Sequence, residues 1–312
     1  MAAQRDHLKR GVLWLLVGLF TCSLPMTATA DDSKMPDSAF VHRNVNVLRY
    51  NPLGLQNEYR IGWRKRLSDS DHLLLRETYF TAGLQAMVTP AMHRVGPRID
   101  FKPLAVLHLY AMAEWVWYMG NFQFMQSHPD ANVDFSDTAQ KAAAKRDENH
   151  AATGWSLNAG ALVQAKVGPI AVRSNNRFLH TTMATKDDQP VWYDIYLDLL
   201  MPRCGWAMSQ DNDILWLNDR LIVGVRHTWS RSWLPNVAGA TSARSTTHRV
   251  GPFMAWRLTA EERYADTLFR RPTLVVLSQW WLAHPYRTGQ DVSQALPWLV
   301  VALSFDGRLP GD

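Results

Sequence analysis

Twelve basic residues recur on the polar side of segments whose residues alternate in character: Arg60, Arg64, Arg66, Arg94, Arg98, Lys102, Lys166, Arg173, Arg177, Arg226, Arg249 and Arg257. The same sides carry six acids, Glu58, Glu77, Asp100, Glu114, Asp194 and Asp198. Guanidinium groups gathered around a confined interior attract anions and raise their local concentration. The competing reading is a filled interior, in which each arginine meets a carboxylate, a backbone carbonyl or water. Both readings place Arg60, Arg64, Arg94, Arg98, Arg173, Arg177, Arg226, Arg249 and Arg257 on a common inner surface.

Catalytic and metal signatures are thin by comparison. The chain has no HExxH, no CxxC pair and no GxSxG. A serine nucleophile needs a base within hydrogen-bond reach, but in "HTWS" the alternation puts His227 and Ser230 on opposite faces of one strand. Asp211-Asn212-Asp213 and Ser68-Asp69-Ser70-Asp71 offer oxygen ligands without the glycine and distal glutamate of a calcium loop, and read as turns. No metal site, no cofactor and no catalytic residue is expected.

The elements that carry the arginines are long strands. In Gly54–Leu67 the even positions are Gln56, Glu58, Arg60, Gly62, Arg64 and Arg66, while Leu55, Tyr59, Ile61, Trp63 and Leu67 take the other side. The same period of two runs through 105–117, 155–167 and 221–233, longer than the five or six residues of an ordinary soluble strand. Strand segments are expected near 44–50, 54–67, 72–88, 92–104, 105–119, 152–167, 170–183, 191–201, 206–217, 221–233, 247–259, 273–284 and 295–305. Closed bacterial barrels normally have an even strand number, so the expectation is an all-β antiparallel barrel of about 12 strands (10 to 14). Either 44–50 or one of the pair 191–201 and 206–217 then fails to cross independently. Ser136–His150 reads as a solvated helix, capped by Ser136, inside a long loop 120–151, and Ala260–Arg271 reads more weakly in the same way. Trp63, Trp115, Trp117, Trp229, Trp256 and Trp281 fall near the ends of apolar faces, and the chain has 14 tryptophans.

The string "HRVGP" occurs at His93–Pro97 and at His248–Pro252. Proline gives a strand no ladder donor, so Gly96-Pro97 and Gly251-Pro252 are expected as bulges or strand openings. Gly168-Pro169 is expected as a tight turn between two strands.

The N-terminus has a grammar of its own. Arg5, Lys9 and Arg10 precede the apolar run Gly11–Met26, and Ala28-Thr29-Ala30 precedes Asp31. That is the pattern of a cleavable export signal over 1–30, and the run is shorter than the ~20 residues of a spanning helix. Removing Arg5, Lys9, Arg10 and Asp6 lowers the formal charge from +5 to +3, too weak and dispersed for nucleic acid. It also leaves Cys204 as the only thiol, so burial and hydrogen bonds must hold the fold. The remainder divides into an N-terminal extension 31–43, a barrel 44–305 and a tail 306–312.

In Leu296–Phe305, "LPWLVVALSF", the residues Leu299, Val301, Leu303 and Phe305 alternate to a final aromatic. The string resembles the C-terminal assembly signal of bacterial outer-membrane β-barrel proteins, with the departure that seven residues follow the phenylalanine. That resemblance implies insertion into an outer membrane by the barrel-assembly machinery, with outer-membrane lipid around the barrel, and no particular activity. Lipid-hydrolysing barrels resemble one another in an HxSN-like string, which neither "HTWS" nor "HTT" at His180–Thr182 matches. Combined with the arginines, the expected function is a narrow, anion-favouring pore or uptake channel for a small anionic solute. The alternatives are an outer-membrane lipid-modifying enzyme, or a structural or surface-interaction barrel with a plugged lumen.

Overall fold

The computed structural model describes residues 35–259 and 268–309; the expected export signal and most of the 260–271 segment lie outside them. Twelve antiparallel strands close on themselves: β1 (Ser38–Tyr50), β2 (Gly54–Arg66), β3 (Tyr79–Val88), β4 (Met92–Leu104), β5 (Leu107–Tyr118), β7 (Ala152–Val167), β8 (Ile170–Met183), β11 (Cys204–Leu217), β12 (Leu221–Ser232), β13 (Thr246–Arg257), β14 (Arg270–Ala283) and β15 (Trp298–Arg308). Each pairs with its neighbours in chain order, and β15 returns to β1 through pairs such as Leu48↔Val301. Closure leaves no edge strand to cap.

β1 begins at Ser38 rather than at 44, and β15 runs to Arg308 rather than stopping at Phe305. The extra length is paired, Val41 with Arg308 and Arg43 with Asp306, so 38–43 of the expected extension and 306–308 of the expected tail supply barrel wall. Asp306 accepts from Arg270 at 3.1 Å and Arg271 at 2.5 Å, tying β14 to the end of β15. β3, conversely, starts at Tyr79 instead of 72.

Segment 191–201 does not cross. It folds into a hairpin, β9 (Val191–Asp194) and β10 (Leu199–Pro202), and β9 also pairs with β6 (Ser127–His128) from the preceding long loop. All eight residues of the hairpin strands are buried. Their composition explains the outcome: Val191, Trp192, Tyr193 and then Leu199, Leu200, Met201 are apolar on both faces, whereas a crossing strand alternates. With that crossing removed, the connections after β5, β8, β12 and β14 all emerge at one end, here termed the loop end. Both barrel termini lie at the other, the terminal end, where 105–106, 168–169 and 218–220 are short turns. Gly168 has φ +56° in the two-residue turn between β7 and β8, a conformation glycine adopts without a Cβ penalty.

The connections at the loop end form the main core. Trp192, Leu199, Leu200 and Met201 pack with Met125 and Phe135 of loop 119–151 against Tyr118 and Val116 of the barrel wall. Within that loop, α1 (Asp137–Ala144) is capped by Ser136, whose hydroxyl accepts from Ala139 N at 3.2 Å. It is shorter than the expected 136–150 and only partly solvated, because Gln140 and Ala143 are buried under the plug.

Neither Gly-Pro pair is a bulge. The β3–β4 register runs unbroken through Gln85↔Gly96 and Leu84↔Pro97, and the β12–β13 register through Arg226↔Gly251 and Val225↔Pro252. On the opposite flank the ladder passes from Val95↔Trp115 to Arg98↔Met112, and from Val250↔Trp280 to Phe253↔Leu277, with an unchanged offset and no pair between. The ladder opens for two residues where proline has no N–H to donate. The register shifts fall elsewhere, between His248 and Arg249 and between Phe101 and Leu104. What requires glycine is proximity: a Cβ at Gly96 would overlap the Ala113 carbonyl oxygen, and one at Gly251 the Ser278 carbonyl oxygen. Gly96→Leu and Gly251→Leu are therefore expected to lower barrel stability by more than the ~1–3 kcal/mol of ordinary overpacking, with Pro97→Ala and Pro252→Ala near neutral. Urea unfolding of refolded barrel in detergent measures it, and a Gly96→Leu barrel as stable as wild type would rule out the close approach.

Candidate functional site: the arginine-lined lumen

Strand parity sends the charged side chains inward. A cavity of about 690 Å³ lies inside the barrel, lined by ten arginines (43, 49, 60, 94, 98, 173, 177, 226, 249, 257) and three carboxylates, Glu58, Glu114 and Asp211. Arg64 and Lys102 line a second cavity of about 270 Å³ that shares Arg43, Arg60, Arg98 and His108 with the first. Together the two make a basic path along the β1–β5 wall. The opposite wall is apolar: Leu215, Phe253, Leu277 and Val300 pack together there.

Five of the ten have carboxylate partners. Arg60 pairs with Glu58 at 2.5 Å, Arg94 with Asp194 at 3.4 Å and Arg98 with Asp100 at 2.6 Å. Arg173 and Arg226 share Asp213, at 2.6 and 2.7 Å. Asp211 and Asp213 thus belong to a crossing strand and not to a turn, their side chains inward and Asn212 outward. Lys102 pairs with Glu77 at 3.0 Å, and Arg66 at the terminal end with Asp37 and Asp69. Arg257 donates to the Asp219 carbonyl at 3.2 Å, and Arg64 to Thr81 Oγ1 at 3.2 Å while lying over the Tyr79 ring. Lys166 is exposed near the end of β7.

Three further guanidinium groups of the main cavity are, like that of Arg257, held by neutral acceptors. Arg49 Nε donates to the Pro52 carbonyl at 3.2 Å, Arg177 Nη1 to the Tyr196 hydroxyl at 3.3 Å, and Arg249 Nε to Gln279 Oε1 at 2.9 Å. Arg249 also lies 4.1 Å from the Trp298 ring centre. A neutral acceptor fixes a guanidinium without cancelling its charge. The two Gly-Pro strands contribute directly: Gly96 lies against the Glu114 backbone and Gly251 against the Gln279 backbone. Arg249, two residues before Gly251, then reaches Gln279.

The plug enters the same chamber. Tyr196 and Leu197, at the tip of the β9–β10 hairpin, line the main cavity, and Arg94 and Arg177 lie over the Tyr196 ring at 5.5 and 4.9 Å. Behind the tip Arg287, 4% exposed, joins the loop-end connections. Its Nε donates to Asp198 Oδ2 at 2.5 Å, its Nη2 to Asp137 Oδ1 at 3.0 Å, and its Nη1 to Asn51 Oδ1 at 2.8 Å. His284 Nε2 lies 3.3 Å from Asp198 Oδ2, and the Tyr193 hydroxyl donates to Asp198 Oδ1 at 2.6 Å. Burial alone would raise the Asp198 carboxyl, but Arg287 and His284 hold it well below the usual carboxylate range. Arg287 and Arg49 are not among the residues the sequence singles out: the first lies in a loop, and the second in 44–50, one of the segments expected not to cross independently.

The outer face is apolar between two aromatic rows. Tyr50, Trp115, Trp117, Trp155, Trp206 and Trp280 stand toward the loop end, and Phe40, Trp63, Phe101, Trp216 and Trp256 toward the terminal end, all exposed. Trp281, expected in such a row, is buried in the lumen beside Arg249 and His284; its neighbour Trp280 takes the outward position. Leu299, Val301, Leu303 and Phe305 of β15 also face outward. Charge inside and hydrocarbon outside is the polarity of a barrel solvated by lipid. The chain is a transmembrane β-barrel.

No family model matches the chain, and no curated protein does. Solved structures of bacterial barrels align with it. OccAB1 of Acinetobacter baumannii covers 81% of this chain at 11% identity and TM-score 0.38, and this chain spans 57% of its length. OccK10 (OpdN) of Pseudomonas aeruginosa covers 88% of this chain, over 100% of its own, at 8% identity and TM-score 0.27. OmpF of Salmonella typhi, in complex with daunomycin, covers 87%, over 97% of its own, at 6% identity and TM-score 0.30.

Proposed function

We propose that this barrel sits in a bacterial outer membrane, loop end outward, as a narrow channel that favours small anions and is closed at rest by the β9–β10 plug. In this reading the export signal 1–30 is removed, outer-membrane lipid surrounds the apolar band, and the assembly machinery reads Leu299, Val301, Leu303 and Phe305 on the last strand. The observation that carries it is the set of three lumenal guanidiniums, Arg49, Arg177 and Arg249, held by neutral acceptors. A fixed positive charge in a lumen with low-dielectric walls concentrates anions. Purified protein in a planar bilayer under a potassium chloride gradient is expected to give small, infrequent conductances whose reversal potential favours chloride. A cation-favouring reversal potential would sink the anion reading.

The buried loop core favours a second reading, a structural barrel whose plug never opens. It predicts no conductance from wild type and none after the plug's anchor is removed. An enzyme acting on lipid would need a base beside a nucleophile on the outward rim. There His180 Nε2 lies 3.9 Å from Cys204 Sγ, and deeper on the wall His227 Nε2 lies 3.3 Å from His248 Nδ1. Among the described residues, no outward strand histidine at that rim makes a hydrogen bond to Ser, Thr or Asp; the Ser127 Oγ–His150 Nε2 contact at 3.3 Å lies within loop 119–151.

A further inference from the structure

The apolar outer face is broken at mid-height by a strip of uncharged polar side chains. On β11, Gln210 and Asn212 point outward about halfway between the outward residues Trp206 and Trp216. On β8, Ser174 and Asn176 do the same, and on β12 the strip continues as His227. Part of it is satisfied internally: Gln210 Nε2 donates to Asn176 Oδ1 at 2.6 Å, and Asn176 Nδ2 to Ser174 Oγ at 3.0 Å. The remaining amide capacity, including the Asn212 side chain, has no partner among the described residues. Hydrocarbon offers no hydrogen bonds, so an amide facing lipid at this depth is costly. Lipid headgroups lie a half-bilayer away and cannot reach it. The surface is also concave here, with a hollow of about 440 Å³ whose outward lining includes Val163, Val172, Ser174, Asn212, Ile214 and His227.

We propose that this face of β8 and β11 is a contact surface for a second copy of the same chain. Two copies in one membrane share its normal, so a twofold axis relating them runs along that normal and every residue meets residues at its own depth. The strip of one copy therefore faces the strip of the other. Carboxamides carry donor and acceptor in one group, so Gln210 and Asn212 can pair with their own counterparts, which a like-charged patch could not. A second asparagine cluster, Asn44, Asn46 and Asn57, lies on β1 and β2, with four strands between it and the first on either side. Two contact faces that are diametrically opposed cannot close a ring; each of Asn44, Asn46 and Asn57 bonds within its cluster whereas the Asn212 side chain makes no bond among the described residues, which leaves the β8–β11 strip to make the contact.

Cysteine crosslinking in membranes tests this without reference to conductance. In a Cys204→Ser background, Asn212→Cys treated with a short bifunctional maleimide is expected to give a species of twice the monomer mass. Ile99→Cys, outward on β4, is expected to give none, and Asn212→Leu with Gln210→Leu should shift the species in mild detergent from dimer to monomer while leaving the barrel folded. Asn212→Cys crosslinking no better than Ile99→Cys would overturn the proposal. So would a crosslinked product of other than twice the mass, which would mean a different protein occupies the face, or a preference for Asn44→Cys.

Discussion

Replacing Arg287 with methionine is expected to convert a nearly silent barrel into one that conducts several-fold more current. The guanidinium ties loops 284–297, 184–203 and 119–151 and the turn after β1 through five hydrogen bonds, and it is almost wholly buried. Removing one partner of a buried ion pair costs about 3–5 kcal/mol, because the charge left behind is neither paired nor hydrated. Here Asp198 and Asp137 would be left facing each other beneath the plug. The barrel wall does not depend on that contact, since its twelve strands are held by their own ladders. The strain is relieved where resistance is lowest, by withdrawal of the β9–β10 hairpin from the lumen. Planar-bilayer conductance measures the opening, and protease cleavage within 184–203 reports the exposed hairpin. A variant that neither conducts more nor becomes cleavable would mean the plug is permanent, which is the structural reading.

Acid should act on the same plug through a different residue. Asp198 is held well below the usual carboxylate range, so the stability its ionised form contributes is present above an ordinary unfolded value of about 3.9 and is lost only as pH falls through its much lower folded value. It does not titrate between pH 7 and 5. His128, in the small sheet over the hairpin, is lowered by burial to about 4. A histidine with a depressed folded pKa is fully tolerated above its unfolded value of about 6.5, and below that the open state binds the proton more readily. The plug is then expected to loosen progressively from pH 6.5 to about 4, by at most ~3 kcal/mol. His128→Gln should flatten this dependence of conductance on pH.

The architecture was legible because a lipid-facing barrel wall must alternate. Gly54–Leu67 and 155–167 could be assigned faces residue by residue, and every arginine chosen on the strands falls on the lumen side. The hairpin was harder for a physical reason. A segment buried on both faces has no alternation to read, and Trp192, Tyr193, Leu199 and Leu200 are as apolar as a strand in lipid. Length and the Asp194–Asp198 turn were the available signals, and neither separates a plug from a crossing. Asp211 and Asp213 were misplaced because Asp-Asn-Asp has turn composition, while its actual setting, two acids each facing arginines across the ladder, depends on partners on β8 and β12. The Gly-Pro pairs could be located but not explained from sequence, since what excludes a side chain is the carbonyl of another strand, Ala113 or Ser278.

Charge balance in the chamber also lay beyond sequence, because a count of arginines does not say which are compensated. That distinction sets the largest expected effect on selectivity. Arg177→Gln with Arg249→Gln removes two of the guanidiniums held by neutral groups and leaves the ion pairs of Arg60, Arg94, Arg98, Arg173 and Arg226 intact. One charge about 8 Å from a passing ion, at an effective dielectric near 20, is worth ~2 kcal/mol, and ~1.4 kcal/mol is a factor of ten. Even with salt screening most of that, the double variant is expected to bring the anion-to-cation permeability ratio down about tenfold, toward parity. Arg177→Lys with Arg249→Lys keeps the charge and loses the planar stacking on Tyr196 and Trp298, so it should keep the preference. Measuring all of them in the Arg287→Met background, where current is large, separates selectivity from opening. If the glutamine pair left the reversal potential where it was, the ion-paired arginines would be the ones setting selectivity and the neutral-held ones only structural. The lysine pair then distinguishes charge from shape: were it to behave like glutamine, stacking on the aromatic rings and not net charge would be what an anion meets in the chamber.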